Sequence, residues 1–273
     1  MYEAYWQLHS RPFENCPDAR FYYPSEVHQG ALLKLRYAVE NHRGAALLAG
    51  AAGVGKTLLI HSLRRQLGES FSPFVHIVFP KMSQSELLAY LAAELGAVEG
   101  GASAVPLDES VRRLARFFLE NSRRECHAVI AIDEAQLLLD TEALETLHLL
   151  LNIEAATRPP LTLILAGQPK LLPALARLPS LEARLGVKCL LRPFGLEETA
   201  SYVNHRMTAA GAAREIFTAE ALASLHRLTG GNPRRVNRLC DLALLIGYAE
   251  EQVRINAPQI EAVSNELVTV APE

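Results

Sequence analysis

The chain has 273 residues, with 27 Lys and Arg against 30 Asp and Glu, a formal charge of 27 − 30 = −3. At roughly 150 residues per domain this is one or two domains with a real core, and 49% hydrophobic against 21% charged residues excludes a disordered, collagen-like or disulfide-scaffold chain. The mild acidity argues against a protein that coats nucleic acid by bulk charge and leaves room only for a local basic patch.

The opening MYEAYWQLHSRPFENCPD lacks a basic end followed by an apolar run, so it does not read as a signal peptide. Five apolar bursts then alternate with helical patterns, the arrangement of a parallel sheet flanked by helices. The bursts are Ala45–Ala49, Phe74–Phe79, Ala128–Ile132, Leu161–Ala166 and Val187–Leu191. Helices are expected near Lys56–Leu67, Ser85–Leu95, Ser110–Ser122 and Glu142–Ile153. In the last, Leu144, Leu147, Leu150 and Leu151 form one apolar stripe. Gly100-Gly101 through Pro106 reads as a surface loop, and Arg158-Pro159-Pro160 breaks the chain before the fourth strand.

After Pro193 the strand signal ends. Helices are expected near Glu197–Ala210, Ala219–Leu228, Pro233–Glu250 and Gln259–Leu267. Thr218 suits the N-cap of the second, with Leu222, Leu225 and Leu228 inward. The expected division is an α/β core over 1–194, whose first 44 residues are an N-terminal segment and helix near the ligand, and a helical domain over 195–273.

Cys16, Cys126, Cys189 and Cys240 have no metal-ligand rhythm and read as reduced thiols of a cytoplasmic protein. The run Ala128–Ile132 stops at Asp133, far short of the ~20 residues that span a bilayer. No membrane insertion is expected.

Gly50-Ala51-Ala52-Gly53-Val54-Gly55-Lys56-Thr57 fits the spacing GxxxxGK[ST]. By chance such a match occurs in about one chain in a hundred of this length. Here it follows the strand-like Ala46–Ala49 and precedes Leu58-Leu59-Ile60, the strand–loop–helix context that phosphate binding needs. Glycines let backbone N–H groups turn inward onto phosphate oxygens. Lys56 would reach the β- and γ-phosphates of ATP, Thr57 would offer a hydroxyl to Mg²⁺, and the helix adds its positive end.

Asp133-Glu134-Ala135-Gln136 follows the third apolar burst. In a parallel sheet the carboxyl ends of the strands form the ligand edge. Asp133 is the expected Mg²⁺ partner and Glu134 the group that activates the attacking water; the competing reading is a carboxylate pair capping a helix. Gln168, at the tip of the fourth strand, is a candidate contact for the γ-phosphate or the water, or else a turn residue bonding its own backbone.

In Gly230-Gly231-Asn232-Pro233, Asn232 caps a new helix and Pro233 takes its first position. Arg234 and Arg235 then lie where the helix dipole disfavours cations, and an anion from bound nucleotide would offset that conflict. Arg234 is the candidate phosphate sensor. Arg184 is a candidate arginine supplied to a neighbouring subunit's nucleotide, with Arg177 weaker. The nine histidines have no metal spacing and read as packing or surface groups. Arg112, Arg113 and Arg116 read as a solvated basic face, and Arg64-Arg65 as the favourable basic end of the helix that follows the phosphate loop.

With these residues in hand the chain resembles the AAA+ ATPases, and within them the ExeA family of general secretion components, related to transposition ATPases of the TniB, TnsC and MuB type. The resemblance rests on Arg11-Pro12-Phe13, Pro17-Asp18, Phe21-Tyr22-Tyr23, His28, Asp133-Glu134-Ala135-Gln136, Leu150-Leu151-Asn152, Gly167-Gln168-Pro169 and Gly231-Asn232-Pro233-Arg234. It implies a P-loop fold with a helical lid. Gly50 to Leu58, Asp133, Pro233 and Arg234 would be nucleotide contacts, with Gln168 as sensor 1 and Arg234 as sensor 2. It also implies that Pro12, Phe13 and Tyr22 lie against the adenine. The family's Gln-Arg-Ile stretch stands here as Ala183-Arg184-Leu185.

The expectation is a cytoplasmic Mg²⁺-dependent ATPase that binds ATP and ADP, self-associates when ATP-bound and acts on a protein partner or complex. The sequence stops after the lid, so no separate recognition domain is expected. Two alternatives stand beside it. One is a DNA-associated regulator of the transposition type, motivated by the arginine clusters and disfavoured by net charge. The other is a nucleotide-dependent signalling switch.

Overall fold

The computed structural model describes residues 1–14, 19–97, 106–139, 142–153 and 159–269. Cys16, Pro17-Asp18, Arg158 and most of the Gly100–Pro106 loop lie outside them. The described residues form two compact units: Val27–Leu191, and Met1–Glu26 with Arg192–Glu273.

The first unit is the parallel sheet. Its strands are β1 (Ala45–Gly50), β2 (Phe74–Ile77), β3 (Ala128–Ile132), β4 (Leu161–Gly167) and β5 (Leu185–Leu191), in the order β2-β3-β4-β1-β5. All four pairings are parallel. β1, β3 and β4 are buried along their whole length, which is why they read as continuous apolar runs rather than alternating ones. Edge strand β5 instead shows exposed positions, including Lys188, which pairs with Glu182 at 2.7 Å and discourages further strand pairing.

The helices of this unit are α1 (Glu26–Glu40), α2 (Lys56–Gln66), α3 (Gln84–Glu94), α4 (Leu107–Arg123), α5 (Ala143–Leu150), α6 (Leu171–Leu175) and α7 (Pro179–Glu182). Two cores result. One packs Leu87, Leu91, Leu114, Phe118, Leu144 and Leu147 against Leu47, Ile130 and Leu163. The other packs Leu35, Val39, Leu59 and Leu63 against Leu48, Val129 and Ile164. Each such aliphatic side chain contributes about 1.5–3 kcal/mol when fully buried.

Three local departures have clear causes. β2 ends at Ile77 rather than Phe79, because its partner β3 ends opposite at Ile132; Val78 and Phe79 are exposed and Pro80 follows. β5 begins two residues earlier than expected, since Leu185 pairs with Ala45 across a register shift. The short helices α6 and α7 carry too few turns for a periodic signal.

The second unit is helical: α8 (Leu196–Ala209), α9 (Ala219–Thr229), α10 (Pro233–Ala249) and α11 (Ala257–Thr269). Thr218 caps α9 by accepting from Ala221 N–H, and Asn232 caps α10 by accepting from Arg234 and Arg235 N–H. Leu222 and Leu225 face inward, but Leu228 does not. Thr229 occupies the inward position seven residues after Leu222, bonds Leu225 O at 2.6 Å, and leaves Leu228 on the outer side.

Residues 1–26 belong to this helical unit and not to the sheet. Trp6 is buried there and donates its indole N–H to Leu244 O at 2.9 Å. Phe13 meets Phe217 edge-on, with ring centroids 6.1 Å apart. The units therefore part at 26/27 and 191/192 rather than at 194/195. Isolated aromatics such as Trp6 and Phe13 carry no periodicity that could announce a distant packing partner.

Candidate functional site

Within the sheet unit, the carboxyl ends of β1, β3 and β4 bring three motifs onto one edge. β1 is flanked by β4 and β5, and the chain leaves it for the far edge at β2. Such a switch in strand order opens the crevice in which α/β proteins bind ligands. The Gly50–Thr57 loop leaves β1 there and enters α2 at Lys56.

The loop is held from behind. His28 of α1 is buried and its Nε2 lies 2.8 Å from Val54 O, a carbonyl that can only accept. Gly55 has φ +98, and a Cβ there would lie 3.0 Å from His28 Nε2. Both the backbone twist and the close histidine therefore require glycine at this position. Lys56 is buried, with Nζ bonded to Gly50 O at 2.9 Å and Ala51 O at 3.0 Å, so the ammonium is drawn across its own loop.

Thr57 Oγ1 donates to Asp133 Oδ2 at 2.5 Å. Asp133 is buried at the end of β3, and its other oxygen accepts from Glu134 N–H at 2.9 Å. Burial pushes its carboxyl upward. The His76 imidazole at 3.9 Å, the Thr57 hydroxyl and the Glu134 N–H outweigh it, and the group is held below the ordinary Asp value. A hydroxyl and a carboxylate oxygen side by side are hard ligands of the kind Mg²⁺ takes. The residues present fit that ion.

Glu134 adopts φ 49, in the left-handed region, at a cost of about 1–2 kcal/mol for a residue with a side chain. It begins a short 3₁₀ turn, Ala135–Leu138, without side-chain capping. The carboxylate is thus not spent on a helix end. Its partner is Gln136, whose Nε2 donates to Glu134 Oε2. The same amide accepts Gln168 N–H at 2.9 Å on Oε1. Gln168 sits half-buried at the tip of β4, beside β3 as expected.

Arg184 is exposed; it donates to Asn152 Oδ1 at 2.7 Å and approaches Leu151 O at 3.5 Å. Two stretches read separately in the sequence, Leu150-Leu151-Asn152 and Arg184, therefore meet. Arg177 is exposed. Arg112 pairs with Asp108 at 3.0 Å and Arg113 with Glu109 at 2.8 Å along α4, so much of that basic face is neutralised by its own helix. Arg64 lies over the Phe74 ring at 5.8 Å.

The remaining candidates lie in the helical unit. Arg234 is exposed in the first turn of α10, beside the half-buried Pro233. Pro12 and Phe13 are buried, and the Arg206 guanidinium lies 5.9 Å from the Phe13 ring and 4.9 Å from that of Phe21. The Tyr22 hydroxyl is buried without a hydrogen-bond partner among the described residues, and burial raises its pKa.

Sequence reasoning passed over Gln136, quoted only as part of a motif, and treated His28 and His76 as packing groups. His28 carries one available signal, its place in the resemblance ahead of the first strand. His76 becomes visible only through the pairing of β2 with β3. Among the described residues no group of three or more His, Cys, Asp or Glu could hold a metal by itself. None of the described helices is long and apolar enough to cross a membrane.

A family model described as AAA domain matches residues 39–175. General secretion pathway protein A of Aeromonas hydrophila is 32% identical over 281 residues, covering 100% of this chain and 50% of that protein. The chain thus spans about half the length of the curated relative it matches. The ORC2 protein of Aeropyrum pernix, solved in ADPNP–ADP complexes, superposes with a TM-score of 0.71 at 15% identity, over 94% of this chain and 71% of that one. The RuvB Holliday junction branch migration motor of Thermotoga maritima gives 0.60 at 20% identity, over 90% and 70%. At such identities these structures speak to the fold alone. The matched family model spans the strands and loops that build the edge described above, and the chain belongs to the AAA domain family of AAA+ ATPases, as a relative of General secretion pathway protein A.

Proposed function

We propose that the protein binds Mg²⁺-ATP and hydrolyses it to ADP and phosphate. The observation that carries this reading is the Thr57–Asp133 contact, which sets a hydroxyl and a carboxylate together beside the Gly50–Lys56 loop. In this reading the loop N–H groups from Gly50 to Leu58 cradle the phosphates and Lys56 leaves its loop carbonyls for phosphate oxygens. Thr57 and Asp133 hold Mg²⁺, which would neutralise phosphate charge. Glu134 accepts a proton from the attacking water and Gln168 contacts the phosphate or the water. Arg234 is proposed as the phosphate-sensing arginine, with Pro233 beside it. Pro12, Phe13 and Tyr22 are proposed for the base.

ATP binding would couple to self-association, with Arg184 leaving Asn152 to meet phosphate charge on a neighbouring copy. Likeness to a general secretion pathway protein supports action on a protein partner or assembly in the cytoplasm rather than on a small metabolite. The proposed domain roles are an ATPase core and a helical lid.

Phosphate release by wild type, Lys56→Ala and Glu134→Gln tests the reading. Turnover should be lost in both variants, with ATP still bound by Glu134→Gln. Equal turnover in all three proteins would reject it.

A further inference from the structure

The amide of Gln136 is committed at both ends. Its Nε2 donates to the Glu134 carboxylate, and its Oε1 accepts Gln168 N–H at 2.9 Å. Gln136 itself is 4% exposed, while its partners Glu134 and Gln168 are half-buried. Space for it is made by Gly167, where a Cβ would collide with Gln136 Oε1 and Leu171 Cδ1. A side chain, the residue beside it and a missing methyl group on another strand are thus fitted to one another.

We propose that Gln136 is a positioning residue, whose amide orients the Glu134 carboxylate toward the attacking water and ties it to the tip of β4. The proposal rests on the ATPase reading above. A carboxylate at a turn can rotate, and its usefulness as a base depends on one oxygen being aimed and free. A single N–H bond to Oε2 restrains the rotation of the carboxylate and leaves Oε1 for water. The residue type matters. A Lys or Arg in this place would fix the carboxylate equally well but depress its basicity through charge. A Glu would repel it, and a Leu could not hold it. A glutamine fixes the group without neutralising it, and its own position is set by the β4 backbone.

The test uses the full chain with Mg²⁺-ATP. Gln136→Leu keeps the volume and removes both bonds. Its kcat should fall by about tenfold or more, part of the roughly 10²–10⁴-fold that a positioned base supplies. KM for ATP and affinity for a fluorescent ADP analogue should stay within about twofold, since the Gly50–Gly55 loop, Lys56, Thr57 and Asp133 make no bond to Gln136. Gln136→Glu gives a second readout: a carboxylate there repels the Glu134 carboxylate instead of holding it, so kcat should fall at least as far as in Gln136→Leu.

Unchanged kcat in Gln136→Leu, while Glu134→Gln is inactive, would overturn this proposal and leave the ATPase reading standing. Raised kcat would mean restraint rather than orientation, and would also overturn it. Wild-type turnover in Glu134→Gln would remove the ATPase role of Glu134 and this proposal with it.

Discussion

Thr57 Oγ1 lies 2.5 Å from Asp133 Oδ2, although β4 separates the strands from which the two residues emerge. The edge of the sheet is therefore shaped so that α2 and the end of β3 share one small polar site. Asp133→Asn keeps the shape and removes one charged oxygen. Turnover is expected to fall about 10²-fold, and the Mg²⁺ concentration giving half-maximal rate to rise. Nucleotide binding in excess EDTA should hardly change, which a fluorescent ATP analogue would report.

The bond from His28 to Val54 O places a histidine behind the phosphate loop. His28→Ala leaves that buried carbonyl without its partner, at a cost of about 1–3 kcal/mol. Where this cost falls on the nucleotide-competent loop, ATP affinity should weaken by roughly tenfold. Titration calorimetry checks it; affinity equal to wild type would make His28 a packing residue only.

A pH dependence is built into the opposite edge of the sheet. His127 is buried, its Nδ1 lies 2.9 Å from His42 Nδ1, and its Nε2 contacts Thr162 Oγ1 at 2.8 Å. Burial, with His42 adding to it, holds His127 near 4 in the folded protein, against 6.5 unperturbed. The unfolded chain therefore binds the extra proton between these values. Stability should be complete above pH 6.5 and decline by about 3 kcal/mol as pH falls from 6.5 to 4. Urea unfolding across that window should show the slope, and His127→Asn should flatten it whatever its absolute stability.

Asn232 caps α10 through two N–H bonds, and Arg234 beside it is exposed. Asn232→Ala should cost about 1 kcal/mol of stability, read as a lower melting temperature. Arg234→Ala should leave the melting temperature alone and reduce turnover. That contrast separates a helix cap from a cation kept for phosphate.

The elements that build the site were legible because they carry two independent signals. β1, β3 and β4 are apolar runs, and each has a chemically marked residue at its end or just past it: Gly50, Asp133 and Gln168. The capping residues Thr218 and Asn232 were equally readable, since capping is local. Strand neighbours were not. His76 comes near Asp133 only through the register of β2 with β3, and Gln136 reaches Gln168 only because Gly167 leaves room. Leu228 misled because its spacing fits a stripe that Thr229 in fact completes.

The sequence contains a single tryptophan, Trp6, and it is sealed in the helical unit against Leu244 and Gly247. Its fluorescence is accordingly a private reporter. A red shift on denaturation records the loss of the helical unit, in which that indole is buried. Tryptophan emission and far-ultraviolet circular dichroism, followed together, would resolve whether the units unfold as one or in turn. The indole also joins the beginning of the chain to residues more than two hundred positions later. During synthesis the sheet unit can fold as soon as Leu191 has emerged, whereas the aromatic segment that precedes it must wait for α10.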